Sequence, residues 1–430
     1  MRIIASTDRA AVNRVLARRG HRDPAFERRV RRIVEGVRTS GDPALVDFAR
    51  RFDHVEPPIE ISIGDMRRQA TRVPTDVRQA IGRAARAIAR VASRQMPAHW
   101  ELAVVPGVSV EQRVEPIERV GCYVPGGRFP LPSSLLMTAV PARVAGVGEI
   151  IAVCPRPDPV VMAAALEAGV TRLFRVGGAH AIAALAYGTK TIPRVDKIVG
   201  PGNKYVAAAK SLVAGDCAID FYAGPTEIVI VAASGRPAWV AADIIAQAEH
   251  DPDARSILIT WSRPFAERVA RVVRAQSKGR TIVARSLAKH GAVIVTRSAG
   301  EAIALANRLA PEHLVLDRES LARQPLTAGA VFIGPYTAQA AGDYATGSNH
   351  VLPTSGAARF RGGLGAADFV RLMAVQRVTR PGLARLAATI VPLARAEGLI
   401  AHAESIEVRL RSGAPGPRAA RPGARGPRST

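Results

Sequence analysis

The chain has 430 residues, 48% of them apolar but only 4% aromatic, so it can bury two or more cores packed mainly from Ala, Val, Leu and Ile. A net charge of +24 raises the question of nucleic acid, yet only six of the 60 basic residues are Lys. The charge is scattered among acids or gathered in the tail, with no RNP aromatics, zinc-finger spacing or helix-turn-helix signature, which argues against a specific nucleic-acid function. No apolar segment follows Met1-Arg2 and no apolar run reaches 18 residues, so the expectation is a cytoplasmic protein without a membrane span.

Residues 24–50 and 64–96 place apolar side chains at helical spacing and are expected to form amphipathic helices. Residues 104–120 alternate as a strand and lead into a Gly-Pro loop at 121–127. Strands then alternate with short helices: strand 150–153, helix 159–168, strand 172–176, helix 179–187, strand 197–199, helix 204–213, strand 217–221. A second series begins after Gly224-Pro225, with strand 227–232, helix 237–249, strand 256–260, helix 265–277 and strands 293–295 and 331–333. Pro237 suits a first helical position, where its missing N–H costs nothing. This alternation predicts an α/β fold whose parallel sheets are covered on both faces. After about residue 364 the pattern is helical, and 412–430, rich in Gly, Pro, Ala and Arg with no acid, is expected to be disordered.

The polar residues that carry chemistry fall in a few short segments. Gln247 and His250 lie three apart in a helical stretch, so they share a face and can offer an amide oxygen and an imidazole to one point. An ordinary helix with a wetted face would look the same. Downstream come Pro311-Glu312-His313, Gly342-Asp343-Tyr344, Asn349-His350, and the segment from Glu397 to His402. Together Gln247, His250, Asp343 and His402 would make a mixed N/O ligand set suited to Zn²⁺. Glu312 beside His313 supplies two proton acceptors of different basicity, or simply a solvated loop pair. Glu397 and His402 would point about 140° apart on a regular helix, so they can face one site only where the helix starts or bends. No GxGxxG follows any strand; Gly177-Gly178 opens a helix without a third glycine. Gly200-Pro201-Gly202-Asn203-Lys204 fails the GxxxxGK[ST] spacing and is a rigid turn with free N–H groups, which holds a phosphate or nothing. Cys122, Cys154 and Cys217 form neither a CxxC nor a disulfide framework; Cys154, at the end of an apolar run, is a structural thiol or a nucleophile.

These segments occur in an order that resembles histidinol dehydrogenase from about residue 1 to residue 410. The resemblance rests on Gly121-Cys122-Tyr123-Val124-Pro125-Gly126-Gly127, Pro130 to Ser134, Val199 to Tyr205, Ala223 to Glu227 and Gln247 to Asp251. Leu309 to Leu314, Asn349 to Thr354 and Glu397 to His402 complete it. It implies two Rossmann-like domains, one inserted in the other, with small helical segments at both ends. The expected division is 1–21 helical; 22–121 and 227–363 as the main domain with metal and catalytic residues; 122–226 as the inserted domain with NAD contacts; and 364–411 as a helical segment reaching a partner subunit.

The implied activity is oxidation of L-histidinol to L-histidine with NAD and Zn²⁺, in a homodimer with shared active sites. By resemblance His313 deprotonates the alcohol and Glu312 activates water; Gln247, His250, Asp343 and His402 bind metal and substrate. Thr226, where the family usually has Ser, contacts substrate with His313, His350 and Glu397. Tyr123, His180 and Asn203 contact NAD. Where the family usually has Gln stands His180, whose imidazole is shorter in reach and titrates near neutrality, so that NAD affinity would depend on pH. The alternative is a relative that oxidises a small sulfonated diol such as dihydroxypropanesulfonate; His350, Glu397 and the Leu131-Pro132-Ser133-Ser134 run favour histidinol. His21, His54, His99 and His290 match no motif.

Overall fold

A computed structural model of the chain describes residues 1–17, 23–126, 129–222 and 224–411. His21, Ala223 and the tail 412–430 lie outside the described residues. The chain divides into two compact units: Met1–Met96 with Pro116–Val370, and Pro97–Glu115 with the chain from Arg371 on.

The first unit holds two six-stranded sheets. The first sheet runs, in spatial order, Arg2–Ala5, Ala292–Val295, Arg255–Thr260, Glu227–Val231, His313–Leu316 and Ala330–Ile333, all parallel. Its central strand Glu227–Val231 is buried throughout, as a strand covered on both faces must be. Helices Arg9–Leu16 and Ala299–Leu309 pack on one face, and Pro237–Glu249, Arg263–Gln276 and Thr281–His290 on the other. The second sheet runs Glu60–Ile61, Arg172–Phe174, Glu149–Val153, Arg119–Tyr123, Lys197–Val199 and Ala218–Ile219, antiparallel only at its first pair.

Local signals set many helix ends. Asp23 accepts from the Ala25 and Phe26 N–H groups ahead of Pro24–Ser40, Pro24 takes the first position, and Gly41 at φ +62° ends the helix. Val30, Val34 and Val37 then form one buried stripe. That stripe packs against Gly178–Tyr187 and Lys204–Val213 of the second sheet, while Ile63–Ala70 and Thr75–Arg94 share the opposite core with Pro132–Ala145 and Pro159–Ala168.

Several expectations need correction. The helices between residues 24 and 94 were expected with 227–363, but they cover the second sheet; the apolar faces of a helix go to the nearest sheet that can bury them. The first 21 residues are not simply helical, because Arg2–Ala5 adds a parallel strand beside Ala292–Val295. Residues 104–120 are not one strand. Trp100–Val105 turns at Gly107 (φ +83°) into Val108–Pro116, and Arg119–Tyr123 follows separately. The strand expected at 217–221 shortens to Ala218–Ile219.

In the second unit, the stretch after 364 is not all helical: Val370–Val378 is a strand in a three-stranded sheet with Val108–Pro116 and Trp100–Val105. Helices Arg380–Ala396 and Ile400–Arg411 follow. Large apolar side chains here stay exposed, among them Leu102, Leu372, Leu393, Ile400 and Val408.

Candidate active site

Thr226 and Glu312 stand at the entry ends of two neighbouring parallel strands, with Ile228 registered against His313. The helix Pro237–Glu249 runs back across the sheet and returns Gln247 to the same end. A chain of hydrogen bonds results. Gln247 Nε2 donates to Thr226 Oγ1 at 2.6 Å, and that hydroxyl donates to Glu312 Oε2 at 2.5 Å. The Glu227 N–H also donates to Glu312 Oε2, at 2.9 Å. Burial pushes the Glu312 carboxyl up to about 7, opposed by the Thr226 and Glu227 bonds; the charge of Asp343 raises it further and that of His250 lowers it.

His313 sits beside it, Nδ1 facing the Glu227 carbonyl at 3.2 Å and Glu312 Oε2 at 3.6 Å. A ring nitrogen facing a carbonyl carries the proton, so Nε2 keeps the lone pair. Burial holds the His313 imidazole below its ordinary value, against the charge of Asp343 and the bond to Glu227. On the Nε2 side, the Gln339 amide nitrogen lies 3.5 Å away and donates to Asp343 Oδ2 at 2.6 Å. His350 Nδ1 meets the Asp343 carbonyl at 3.1 Å.

Thr226, Gln247, Glu312, His313, Asp343 and His350 therefore form one continuous polar network. His250 is exposed just beyond the helix end and acts on Glu312 through its charge alone. Glu397 and His402 are exposed in the second unit, outside this network. The helix does break between them, at Gly398 with φ +77°. Among the described residues no three His, Cys, Asp or Glu side chains cluster as a metal site. The donor set in the first unit is nevertheless incomplete in a telling way. Gln247 Oε1 is buried with no hydrogen-bond partner among the described residues, and a buried amide oxygen left bare costs about 1–3 kcal/mol unless a ligand takes it. A bare amide oxygen on the helix face that also carries His250 is a donor that suits a divalent cation.

The residues expected at the cofactor lie where strands of the second sheet end. Tyr123 closes Arg119–Tyr123; its hydroxyl, pushed up by burial, accepts the Gly178 N–H at 3.1 Å. His180, 1% exposed, turns Nε2 to Asp53 Oδ2 at 2.8 Å, and the same oxygen accepts the Gly177 N–H at 2.8 Å. Its ring is thus engaged within the fold. Asn203 is exposed and caps Lys204–Val213, its Oδ1 accepting from the N–H groups of Tyr205 and Val206. Strand order places Arg119–Tyr123 between a series running one way and a series running the other. That is the topological switch point where open α/β sheets bind ligands at the carboxyl ends of their strands.

Sequence reasoning missed Asp53, Glu227 and Gln339. Only the last left a signal, four residues before Asp343 on one helix. The three cysteines are buried, and burial pushes Cys122 and Cys154 up to about 12 and Cys217 up to about 11, so Cys154 is a structural thiol and no nucleophile.

A family model described as histidinol dehydrogenase matches residues 16–410. A histidinol dehydrogenase of Geobacter metallireducens is 46% identical over 412 residues, 92% of this chain and 94% of the relative. That of Gluconobacter oxydans is 45% identical over 413 residues, covering 92% and 95%. The crystal structure of histidinol dehydrogenase from Elizabethkingia anophelis superposes with a TM-score of 0.91 at 32% identity, over 96% of this chain and 98% of that one.

Proposed function

The chain belongs to the histidinol dehydrogenase family of oxidoreductases, which serves histidine biosynthesis, and on that premise we propose that it oxidises L-histidinol to L-histidine through the aldehyde, using NAD and Zn²⁺. The observation that carries this reading is the network at Glu312, which ends on the bare oxygen of Gln247. When bound, NAD would accept hydride at each of two stages, and zinc would hold the imidazole and amine nitrogens of the substrate.

The chain's own residues do the rest. At the first stage His313 Nε2 takes the hydroxyl proton as the carbinol hydrogen leaves with its electron pair. At the second, Glu312 takes a proton from the water that adds to the aldehyde carbon, and the hydrate then loses hydrogen in the same way. A carboxyl held near neutrality by burial is suited to accept and return that proton. Thr226 and the Glu227 N–H keep its Oε2 fixed.

Gln247, His250 and Asp343 would hold the metal together with His402 of the partner subunit, while this chain's His350 and Thr226 and the partner subunit's Glu397 contact substrate. The apolar side chains left exposed in the second unit support a dimer of this kind. Tyr123, His180 and Asn203 form the cofactor edge. We place the reaction in the cytoplasm; among the described residues no helix is long and apolar enough to cross a membrane. The test is NADH formation with histidinol against dihydroxypropanesulfonate. Turnover of histidinol to histidine with two NADH per molecule supports the reading, and turnover of the diol alone defeats it.

A further inference from the structure

A buried ion pair on the second sheet has no part in the chemistry above. Lys210, on Lys204–Val213, and Asp220, just beyond Ala218–Ile219, are 2% and 1% exposed and bonded to each other. Both reach a single residue, Gly200. Lys210 Nζ donates to the Gly200 carbonyl at 3.0 Å, and the Gly200 N–H donates to Asp220 Oδ2 at 2.8 Å. Asp220 Oδ1 also accepts the Phe221 N–H at 2.6 Å. Both backbone polar groups of one residue are thus gripped by a charged pair that water barely reaches.

Gly200 is where such a grip has an effect. Its φ is +111°, and a Cβ there would lie 2.3 Å from the Tyr123 carbonyl oxygen, so only glycine brings the two loops this close. Three residues on, Asn203 begins Lys204–Val213. The grip therefore sets the turn 200–203 against the strand end that carries Tyr123. Burying two charges carries a desolvation cost that offsets much of their mutual attraction; what the pair adds is partners for the Gly200 and Phe221 backbone groups, and with them a unique position.

We propose that Lys210 and Asp220 are positioning residues for the cofactor: they clamp Gly200 so that the Tyr123 and Asn203 loops are already in place when a dinucleotide arrives. This inference rests on the placement of NAD at those loops. The test is K210M/D220L, which replaces both charges with apolar side chains and leaves no buried charge unpaired. The Michaelis constant for histidinol should stay near wild type, while thermal stability falls, because the Gly200 N–H, the Gly200 carbonyl and the Phe221 N–H lose their partners. The Kd for NADH, followed by its fluorescence without substrate, should rise about tenfold, equivalent to ~1.4 kcal/mol of lost pre-organisation.

NADH binding as in wild type overturns the clamp, and so does an equal rise in both constants, which marks a general structural role. N203D separates the two levels of the argument, because aspartate still caps the helix but brings a negative charge to the turn. Weaker NADH binding in N203D with wild-type binding in K210M/D220L removes the clamp alone. Wild-type binding in N203D removes both the clamp and the cofactor placement. Hydrogen exchange of the unaltered protein needs no variant to fold: the Gly200 amide should exchange with the slow amides of the sheet core, and exchange at the rate of an exposed loop would overturn the proposal.

Discussion

On the first sheet the reactive side chains gather at the entry ends of the strands, beside the C-terminus of Pro237–Glu249, where Gln247 and His250 stand. On the second, the loops that leave the strands meet the N-termini of Gly178–Tyr187 and Lys204–Val213. The two ends of a parallel sheet are electrostatically unlike. Helix C-termini present bare carbonyls and a partial negative charge, which favours a metal cation. Helix N-termini present N–H groups and a partial positive charge, which favours the phosphates of a dinucleotide. One architecture thus offers ends suited to both kinds of ligand, with side chains prominent at one and glycine turns at the other.

The largest effect should come from removing the base. His313→Ala should lower kcat with histidinol by about 10²–10⁴, the usual worth of a positioned acid or base, while NADH affinity stays unchanged. An equal loss of NADH binding would break the division of labour between the sheets.

Next comes the origin of Glu397 and His402. Co-expression of His313→Ala with Glu397→Ala should yield mixed dimers with about half the wild-type activity, because one site then receives neither damaged residue. Mixed dimers no more active than either parent would show that each chain completes its own site.

The metal is assigned to the entry end of the first sheet alone. His250→Ala should remain folded by circular dichroism and bind zinc at least about tenfold more weakly by elemental analysis after dialysis. Full retention of zinc would place the metal elsewhere.

The smallest effect concerns pH. The folded Glu312 carboxyl sits at about 7, above its ordinary 4.5. Its contribution to stability is therefore complete below pH 4.5 and is lost as pH rises through about 7. In chelator-treated protein, Glu312→Gln should lose less thermal stability across that interval than wild type does. Parallel melting curves for the two would mean that Glu312 is not protonated in the folded state.

Much of the secondary structure was legible because its signals are local. Pro237–Glu249, Lys204–Val213 and Pro159–Ala168 begin and end as expected, set by Asn203, by Asp158, and by prolines at the first helical position. The edge strands Arg2–Ala5 and Glu60–Ile61 were not, since two to four residues show no period and their partners lie more than a hundred residues away. The exposed strand Val370–Val378 likewise lacks the alternation that a half-buried strand would show.

The site divides in the same way. Residue type and spacing made candidates of Gln247, His250, Glu312 and His313, because a helical face and a carboxylate beside an imidazole are properties of neighbours in the chain, and the family resemblance lifted them above a wetted helix face and a solvated loop pair. Tertiary structure alone decided that Glu227 ties both Glu312 and His313, that Asp53 engages His180, and that Lys210 and Asp220 grip Gly200. Burial and hydrogen-bond partnership depend on what the fold brings from elsewhere, and a pKa raised by burial or a glycine fitted to one carbonyl has no counterpart in the linear pattern.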